Sequence, residues 1–491
     1  MMNLPVGWAM EPLAKLGTWT GGGTPSTSNA EFWTNGTIPW VSPKDMKQRR
    51  IAVAQDSITE AAVKSSATNL IAENSLMLVT RSGILRHSLP VATNTKPVTL
   101  NQDMKALAPL EGLELDFLYF AFRRFEREIL HGCCKGGTTV QSIEASRLMA
   151  FEIPIPPTAE QRRIVAKIEE LFSELDKGIE NLKQARAQLA VYRQALLKHA
   201  FEGKLTADWR ATHAAQLESA AQLLARIRST CREAWTGREK FVEAVPPDAT
   251  KLQPLPAVWT WASIGQLRVF SLYGPRFSSD DYADDGYVVL RTSDISESGK
   301  VDTSKAPRLR LSPGDFERYR ARRGDLLVTR TGSLGTLAIF DDDVDAIPGA
   351  YLIQFRLATD PITTRYLFHF LKSPVGQTYL AGKGAGVGRP NLNAPSIEAL
   401  AVPFPPLEEQ QRIVAELDQQ LSAAATLESD IAMNLQRAEA LRQSILKKAF
   451  AGELVPQDPA DEPAAALLAR IRAERAAQAA APKPKKPRKS P

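Results

Sequence analysis

Cysteine is scarce in this chain. There are three in 491 residues, Cys133, Cys134 and Cys231, and their spacing suits no metal site. An odd, sparse set excludes a disulfide framework and fits a reducing cytoplasm. Histidine is scarce too: His87, His131, His199, His213 and His369 are scattered, and none has a second ligand at helical or loop spacing. No apolar run reaches ~18 residues, so no membrane span is expected. The first residues, Met1 to Trp8, lack the basic and apolar regions of a secretory signal. Catalytic motifs are missing as well. The run from Lys383 to Arg389 is glycine-rich but has neither phosphate-loop nor dinucleotide spacing. No Asn/Asp-Pro-Pro-Tyr motif of amino-methyltransferases occurs. Glu202-Gly203-Lys204 is only a fragment of a nuclease constellation, and no carboxylate motif precedes it. The chain reads as a non-enzyme without cofactor or metal of its own.

What is present is ordinary in bulk: 24% charged and 44% hydrophobic residues, with a net charge of +6. This is a globular composition, long enough for three or four domains. The mild positive excess permits a polyanionic partner.

The chain contains itself twice. Pro154-Ile155-Pro156-Pro157-Thr158-Ala159-Glu160-Gln161-Arg162-Arg163-Ile164-Val165 returns 249 residues later as Pro403-Phe404-Pro405-Pro406-Leu407-Glu408-Glu409-Gln410-Gln411-Arg412-Ile413-Val414. Lys198-His199-Ala200-Phe201 returns at the same offset as Lys447-Lys448-Ala449-Phe450. Between these motifs, apolar residues recur at steps of about four and three: Ile164, Ile168, Leu171, Leu175, Ile179, Leu182, Ala185, Leu189, Tyr192 and Leu196 in one copy. The other copy has Ile413, Leu417, Leu421, Ala424, Leu427, Ile431, Leu435, Ala438, Leu441 and Ile445. That is a heptad seam. It predicts two long helices, over 158–201 with Thr158 as N-cap and over 407–450, each ~65 Å long at 1.5 Å per residue. A whole domain separates them, so antiparallel pairing is expected to bury both stripes.

The segments before the helices alternate short apolar runs with Gly, Pro, Asn and Thr clusters, which reads as mixed strands and turns. They match each other more weakly. Leu4-Pro5-Val6-Gly7-Trp8 parallels Leu255-Pro256-Ala257-Val258-Trp259, and Thr80-Arg81-Ser82-Gly83 parallels Thr329-Arg330-Thr331-Gly332. The expected organisation is a recognition domain at 1–153, a long helix at 154–205, a bridge with a short helix and Pro-rich linker at 206–254, a second recognition domain at 255–402, a second long helix at 403–455, and a short helix with a disordered basic tail at 456–491. The fold class is α+β: two mixed α/β domains joined by two long antiparallel coiled-coil helices, an internal pseudo-two-fold repeat.

The doubled phrases Pro-Pro-x-x-Glu-Gln-x-Arg-Ile-Val and Lys-x-Ala-Phe-x-Gly-x-Leu resemble those of the specificity subunit of type I restriction–modification systems. Further matches are Thr20-Gly21-Gly22-Gly23-Thr24-Pro25-Ser26 with Glu31-Phe32-Trp33 and Ile38 to Met46, and Gly388-Arg389-Pro390-Asn391-Leu392-Asn393. The resemblance covers residues from about 4 to 455. It implies two target recognition domains, each reading one half of a bipartite site on double-stranded DNA, with the gap set by the helices. It also implies docking of two modification (methyltransferase) subunits, which bind S-adenosylmethionine and methylate adenine. Restriction subunits using ATP and Mg join them in the full complex, which is an endonuclease. On this resemblance the chain itself is expected to be the non-catalytic subunit.

DNA reading calls for cations toward phosphates and forked polar groups toward base edges. The candidates lie in Gly-rich or turn-like loops. In the first domain they are Lys44, Arg81, Lys135, Thr138, Thr139 and Gln141. In the second they are Arg276, Arg291, Arg330, Lys383, Arg389 and Asn391. Arg81 and Arg330 are internal counterparts. Two other readings stay open at this point: a non-DNA coiled-coil adaptor, and a fragment of a fused restriction–modification enzyme.

Overall fold

The computed structural model describes residues 4–135, 140–235, 241–331, 335–358, 361–384 and 391–480. It divides into two compact units, Met1–Leu182 with Met433–Pro491, and Lys183–Ala432. The helices expected from the heptads are present as Thr158–Phe201 and Leu407–Ala449. Each therefore begins in one unit and ends in the other.

In the first unit, a five-stranded sheet runs Gly17–Gly21, Met104–Pro109, Leu76–Val79, Val91–Asn94, Arg50–Ile51. A four-stranded sheet runs Asp56–Ile58, Ile38–Val41, Val98–Leu100, Leu70–Ile71. The strand Leu76–Val79 is buried at every position, as a four-residue apolar run in a central strand should be. The second unit has two four-stranded sheets. One orders Arg268–Tyr273, Leu352–Leu357, Leu326–Thr329, Leu337–Ile339; the other orders Tyr282–Ala283, Arg308–Leu309, Tyr287–Leu290, Ala346–Pro348.

A two-stranded ladder closes each unit: Ala9–Pro12 against Glu152–Ile155, and Thr260–Ser263 against Ala401–Phe404. Each ladder delivers the chain to a Pro-Pro pair, and a long helix starts there. The N-cap is Pro157 rather than the expected Thr158, because the Pro157 carbonyl accepts the first helical bond from Gln161 N at 2.9 Å. The Thr158 hydroxyl instead donates to the Gly112 carbonyl at 2.7 Å.

The doubled motif now has a physical reading. Gln161 and Gln410 donate back to the carbonyls of Pro156 and Pro405, both at 2.9 Å, and tie down the helix start. Glu160 and Glu409 are buried and accept the indole N–H of Trp8 at 3.0 Å and of Trp259 at 2.8 Å. At the far ends, Phe201 packs edge-on to Tyr366 and Phe370 in the second unit. Phe450 packs on Phe117 and Phe125 in the first. Gly203 and Gly452 follow at φ +71° and +74°, the left-handed residue that ends a helix. Lys204 N and Glu453 N bond back to His199 O and Lys448 O, both at 2.9 Å, completing a Schellman turn at each end.

Helix pairing is antiparallel within each unit. Asp176 is ion-paired to Arg442 in the first. In the second, Tyr192 Oη donates to Gln420 Oε1 at 2.5 Å, and Arg193 pairs with Glu428 at 2.6 Å. The seam is incomplete. Leu427 and Leu441, expected inside, are 54% and 50% exposed, and Val191 is 69% exposed. A pair of helices covers only one side of each stripe, so the mid-helix apolar residues remain open to a further partner.

Glu160 and Glu409 differ in one respect. The Oε1 of Glu409 accepts from Thr206 Oγ1 at 2.6 Å and from Arg210 Nε at 2.9 Å. At the repeat offset those donors are replaced by Val455 and Pro459, and Glu160 Oε1 has no partner among the described residues. Burial pushes the Glu160 carboxyl above the usual carboxylate range, against the Trp8 bond and the charge of Arg163. A raised folded value gives stability that is complete below the unfolded pKa and is lost as pH rises through the folded one. Glu160→Gln is therefore expected to leave the first unit equally or more stable at neutral pH and to flatten this pH dependence. Glu409→Gln removes the buried charge paired with half-buried Arg210 and costs about 3 kcal/mol. Urea unfolding followed by tryptophan fluorescence from pH 4 to 8 checks both; equal losses from the two changes would contradict the account.

Candidate nucleic-acid interface

In the first unit the structure brings three sequence candidates onto one small sheet. Arg81–Ser82, Gln141–Ile143 and Cys134–Lys135 form three short antiparallel strands with Gln141–Ile143 in the middle. Arg81 and Lys135 are both register partners of Ser142, so all three share one face. Gln141, one residue along, takes the other face. Arg81 and Lys135 are exposed. Lys135 leans on Glu144 at 3.6 Å, whereas the Arg81 guanidinium has no hydrogen-bond or ion-pair partner among the described residues. Lys44 is also exposed, in the turn after the strand Ile38–Val41, away from this sheet in sequence and strand order. Thr138 and Thr139 lie outside the described residues.

Arg330 occupies the matching turn in the second unit. Its backbone N donates to Tyr351 O at 3.0 Å, just as Arg81 N donates to Asp103 O at 3.2 Å. Its guanidinium lies 4.6 Å above the Tyr273 ring and donates to Asn391 Oδ1 at 3.1 Å. Asn391 and Arg330, both sequence candidates, are thus in direct contact. Tyr273 was missed by sequence reasoning, although Tyr273-Gly274-Pro275-Arg276 places it three residues from an exposed candidate, Arg276. Its hydroxyl accepts from Ala394 N at 2.8 Å, which fixes the ring under the guanidinium. Tyr351, 60% exposed beside the same turn, was missed as well. Lys383 extends over the Tyr379 ring at 5.5 Å. Arg389 lies outside the described residues.

Arg291 is engaged internally. Its guanidinium donates to Asp294 at 2.7 and 3.1 Å and to Lys305 O at 3.0 Å, and the Asp294 bond raises its pKa further. That arrangement holds a turn and leaves few donors for a ligand. The glycine-rich motif of the first unit is also structural. A Cβ on Gly22 would run into the Asn101 and Leu100 oxygens, and one on Gly23 into the Ala67 backbone. Trp40 and Trp33 close the loop by donating to Gly23 O and Ser26 O, both at 3.0 Å. Burial raises the thiol pKa of Cys133, Cys134 and Cys231, which matches packing rather than reactive cysteines. Among the described residues no group of three or more His, Cys, Asp or Glu is placed to hold a metal. No helix among them is long and apolar enough to cross a membrane.

Comparison with known proteins gives a consistent result. The family model described as "Type I restriction modification DNA specificity domain" matches residues 5–184 and again 261–437. The chain is 42% identical over 188 residues to the type I restriction enzyme EcoR124I/EcoR124II specificity subunit of Escherichia coli, covering 38% of this chain and 46% of that protein. It is 30% identical over 351 residues to the Escherichia coli EcoBI specificity subunit, covering 69% of this chain and 68% of the relative. Thus the chain spans about half the length of one curated relative and two thirds of the other. A solved chain described as "Structural basis underlying complex assembly and conformational transition of the type I R-M system" shares the fold, with a TM-score of 0.65 at 19% identity, 92% of this chain and 99% of that one being covered.

The rigid glycine loop generates a test. Gly22→Ala forces backbone apart and is expected to cost about 1–3 kcal/mol of first-unit stability, as overpacking does, while the second unit unfolds unchanged. Denaturant melts read by fluorescence would show this; no loss would mean the loop is not packed as described.

Proposed function

Because the chain belongs to the type I restriction–modification DNA specificity family, we propose that it reads a bipartite site on double-stranded DNA, one half with each of two target recognition domains. These are residues 1–153 and 255–402. The observation that carries this reading is the repeated turn: each unit presents an arginine, Arg81 or Arg330, at the end of a buried central strand. In the first unit Lys135 stands beside it on the same face, with Gln141 on the opposite face of that small sheet, and in the second Asn391 and Tyr273 stand beside it. Guanidinium and carboxamide groups are the forked donors and acceptors that read guanine and adenine edges, and rigid support lowers the entropy lost on binding. Lys44, Arg276 and Lys383 supply further cations toward phosphates; Thr138, Thr139 and Arg389 complete the candidate set. Arg291 holds its turn and is the weakest candidate.

The paired helices set the gap between half-sites. Their exposed apolar residues, Val191, Leu427 and Leu441, fit docking of two modification subunits. Those subunits supply S-adenosylmethionine and the adenine-methylating chemistry. Restriction subunits, with ATP and Mg, add cleavage, and the complex works in the cytoplasm. A DNA-independent adaptor role is not favoured, since the family match covers both halves of the chain.

Affinity of the complex for its site should fall linearly on a log–log salt plot, the signature of counterion release. Arg330→Ala is expected to weaken specific binding by about 1–3 kcal/mol and relax one half-site only; Arg291→Ala should lower stability without that relaxation. Gel-shift titration over base-substituted sites checks this. Equal loss on every sequence would reduce Arg330 to a phosphate contact. Deleting about one heptad from one helix should alter the gap or abolish activity while both half-sites keep their sequences. An unchanged gap in the methylated sites would refute the helical spacer.

A further inference from the structure

The two units carry the same trough, and among the described residues only that of the second unit is filled. In the second unit its walls are the helix Ala220–Glu233 and the turn Ile264–Leu267. The chain segment 241–245 runs between them. Phe241 packs on the apolar core of the unit and meets Trp235 edge-on at 6.0 Å. Glu243 is forked by ion pairs to Arg228 and Arg232. Ala244 lies against Gly265, and Ser263 Oγ donates to Val245 O at 3.2 Å. Only about 10 Å³ is left free there.

Two hydrogen bonds fix the matching register in the first unit. Ala464 N donates to Gly7 O at 2.8 Å, as Ala220 N does to Val258 O at 3.2 Å. Leu110 N donates to Leu16 O at 3.0 Å, as Ala358 N does to Leu267 O at 3.1 Å. Leu468, Ile471 and Arg472 of the helix Ala464–Ala480 therefore stand where Leu224, Ile227 and Arg228 stand in the other unit. Ala14 and Lys15 stand for Gly265 and Gln266. Here no described residue fills the trough: about 350 Å³, lined by Ala14, Lys15, Leu110, Leu468, Ile471 and Arg472. At the register of 241–245 the sequence reads Lys485-Lys486-Pro487-Arg488-Lys489. It offers neither an aromatic ring nor a carboxylate, and its charge has the same sign as that of Lys15 and Arg472.

We propose that this trough docks an extended peptide segment of a partner protein, carrying an aromatic side chain and, two residues on, a carboxylate. The filled copy defines that chemistry with Phe241 and Glu243. The surroundings are not fully repeated, since Ala476 and Ala479 stand where Arg232 and Trp235 stand in the other unit, and two further substitutions tune the site. Glu11, where the other unit has Ala262, already accepts from Arg472 at 2.5 and 2.6 Å. The incoming carboxylate is therefore left to Lys15, which is 57% exposed and 3.7 Å from Glu11. The Ala14 methyl, where the other unit has Gly265, calls for glycine in place of Ala244.

The probe is a fluorescein-labelled peptide of residues 240–247, Lys-Phe-Val-Glu-Ala-Val-Pro-Pro, with Ala244→Gly, titrated with the full chain and read by anisotropy. Saturable binding is expected, weakened about tenfold by Lys15→Glu in the chain or by Glu243→Lys in the peptide. Ile471→Ser should weaken it too; Lys15, at the surface, keeps the test valid if Ile471→Ser fails to fold. Absence of saturable binding, or equal affinity for Lys15→Glu, overturns the proposal. So does binding that appears only after residues 481–491 are removed, which would assign the trough to the chain's own tail.

Discussion

A buried glutamate in the first turn of each long helix, held by a tryptophan just before the opening strand of the same unit, is the constraint on which the rest of the structure depends. Trp8 with Glu160 and Trp259 with Glu409 join residues about 150 apart in sequence. A carboxylate is costly to bury without donors, so each indole fixes where its helix departs from the sheet. The neighbouring glutamine ties the Pro-Pro segment into the same turn. With the start so fixed, the heptads decide which residues face the second helix, and the Ala-Phe-x-Gly ending decides where each helix stops.

The two helices are shared between the units. The first unit is completed by the end of the second helix, and the second unit by the end of the first. Phe450 and Phe201 are the anchors, each among aromatic rings of a unit whose sheets lie elsewhere in the sequence. Burying such a side chain contributes about 2–3 kcal/mol. The short helices that follow also bond across sequence, through Ala464 to Gly7 and Ala220 to Val258. Each half of the repeat therefore needs the other to close its core. This exchange of helix ends explains why the helix motifs stay so alike: each must fit two environments. The sheets, which fit only themselves, have diverged.

Much of the fold was legible because it rests on local patterns. Heptad spacing, Pro-Pro stops and the terminal glycines report helices through geometry that depends on near neighbours. Thr158 misled because a cap is decided by which carbonyl accepts, and its hydroxyl was taken by Gly112, 46 residues away. Leu427 and Leu441 misled because a seam repeats along the sequence whether or not a partner covers it. At the candidate site, Arg81, Lys135 and Gln141 were singled out individually, but their place on one small sheet depends on a three-stranded pairing across some sixty residues. Arg330 and Asn391 were singled out as candidates; their contact with Tyr273 was not anticipated, since an aromatic in a strand reads as core. Arg291 was singled out by residue type and loop, and its bonds to Asp294 depend on folding that residue type alone does not report.

Mapping methylated adenines on random-sequence DNA exposed to this chain with its modification subunits and S-adenosylmethionine tests the central claim most directly. The account predicts a single split sequence, its two parts different and separated by a constant number of unspecified bases. Methylation within one contiguous motif, or without any sequence preference, would contradict it.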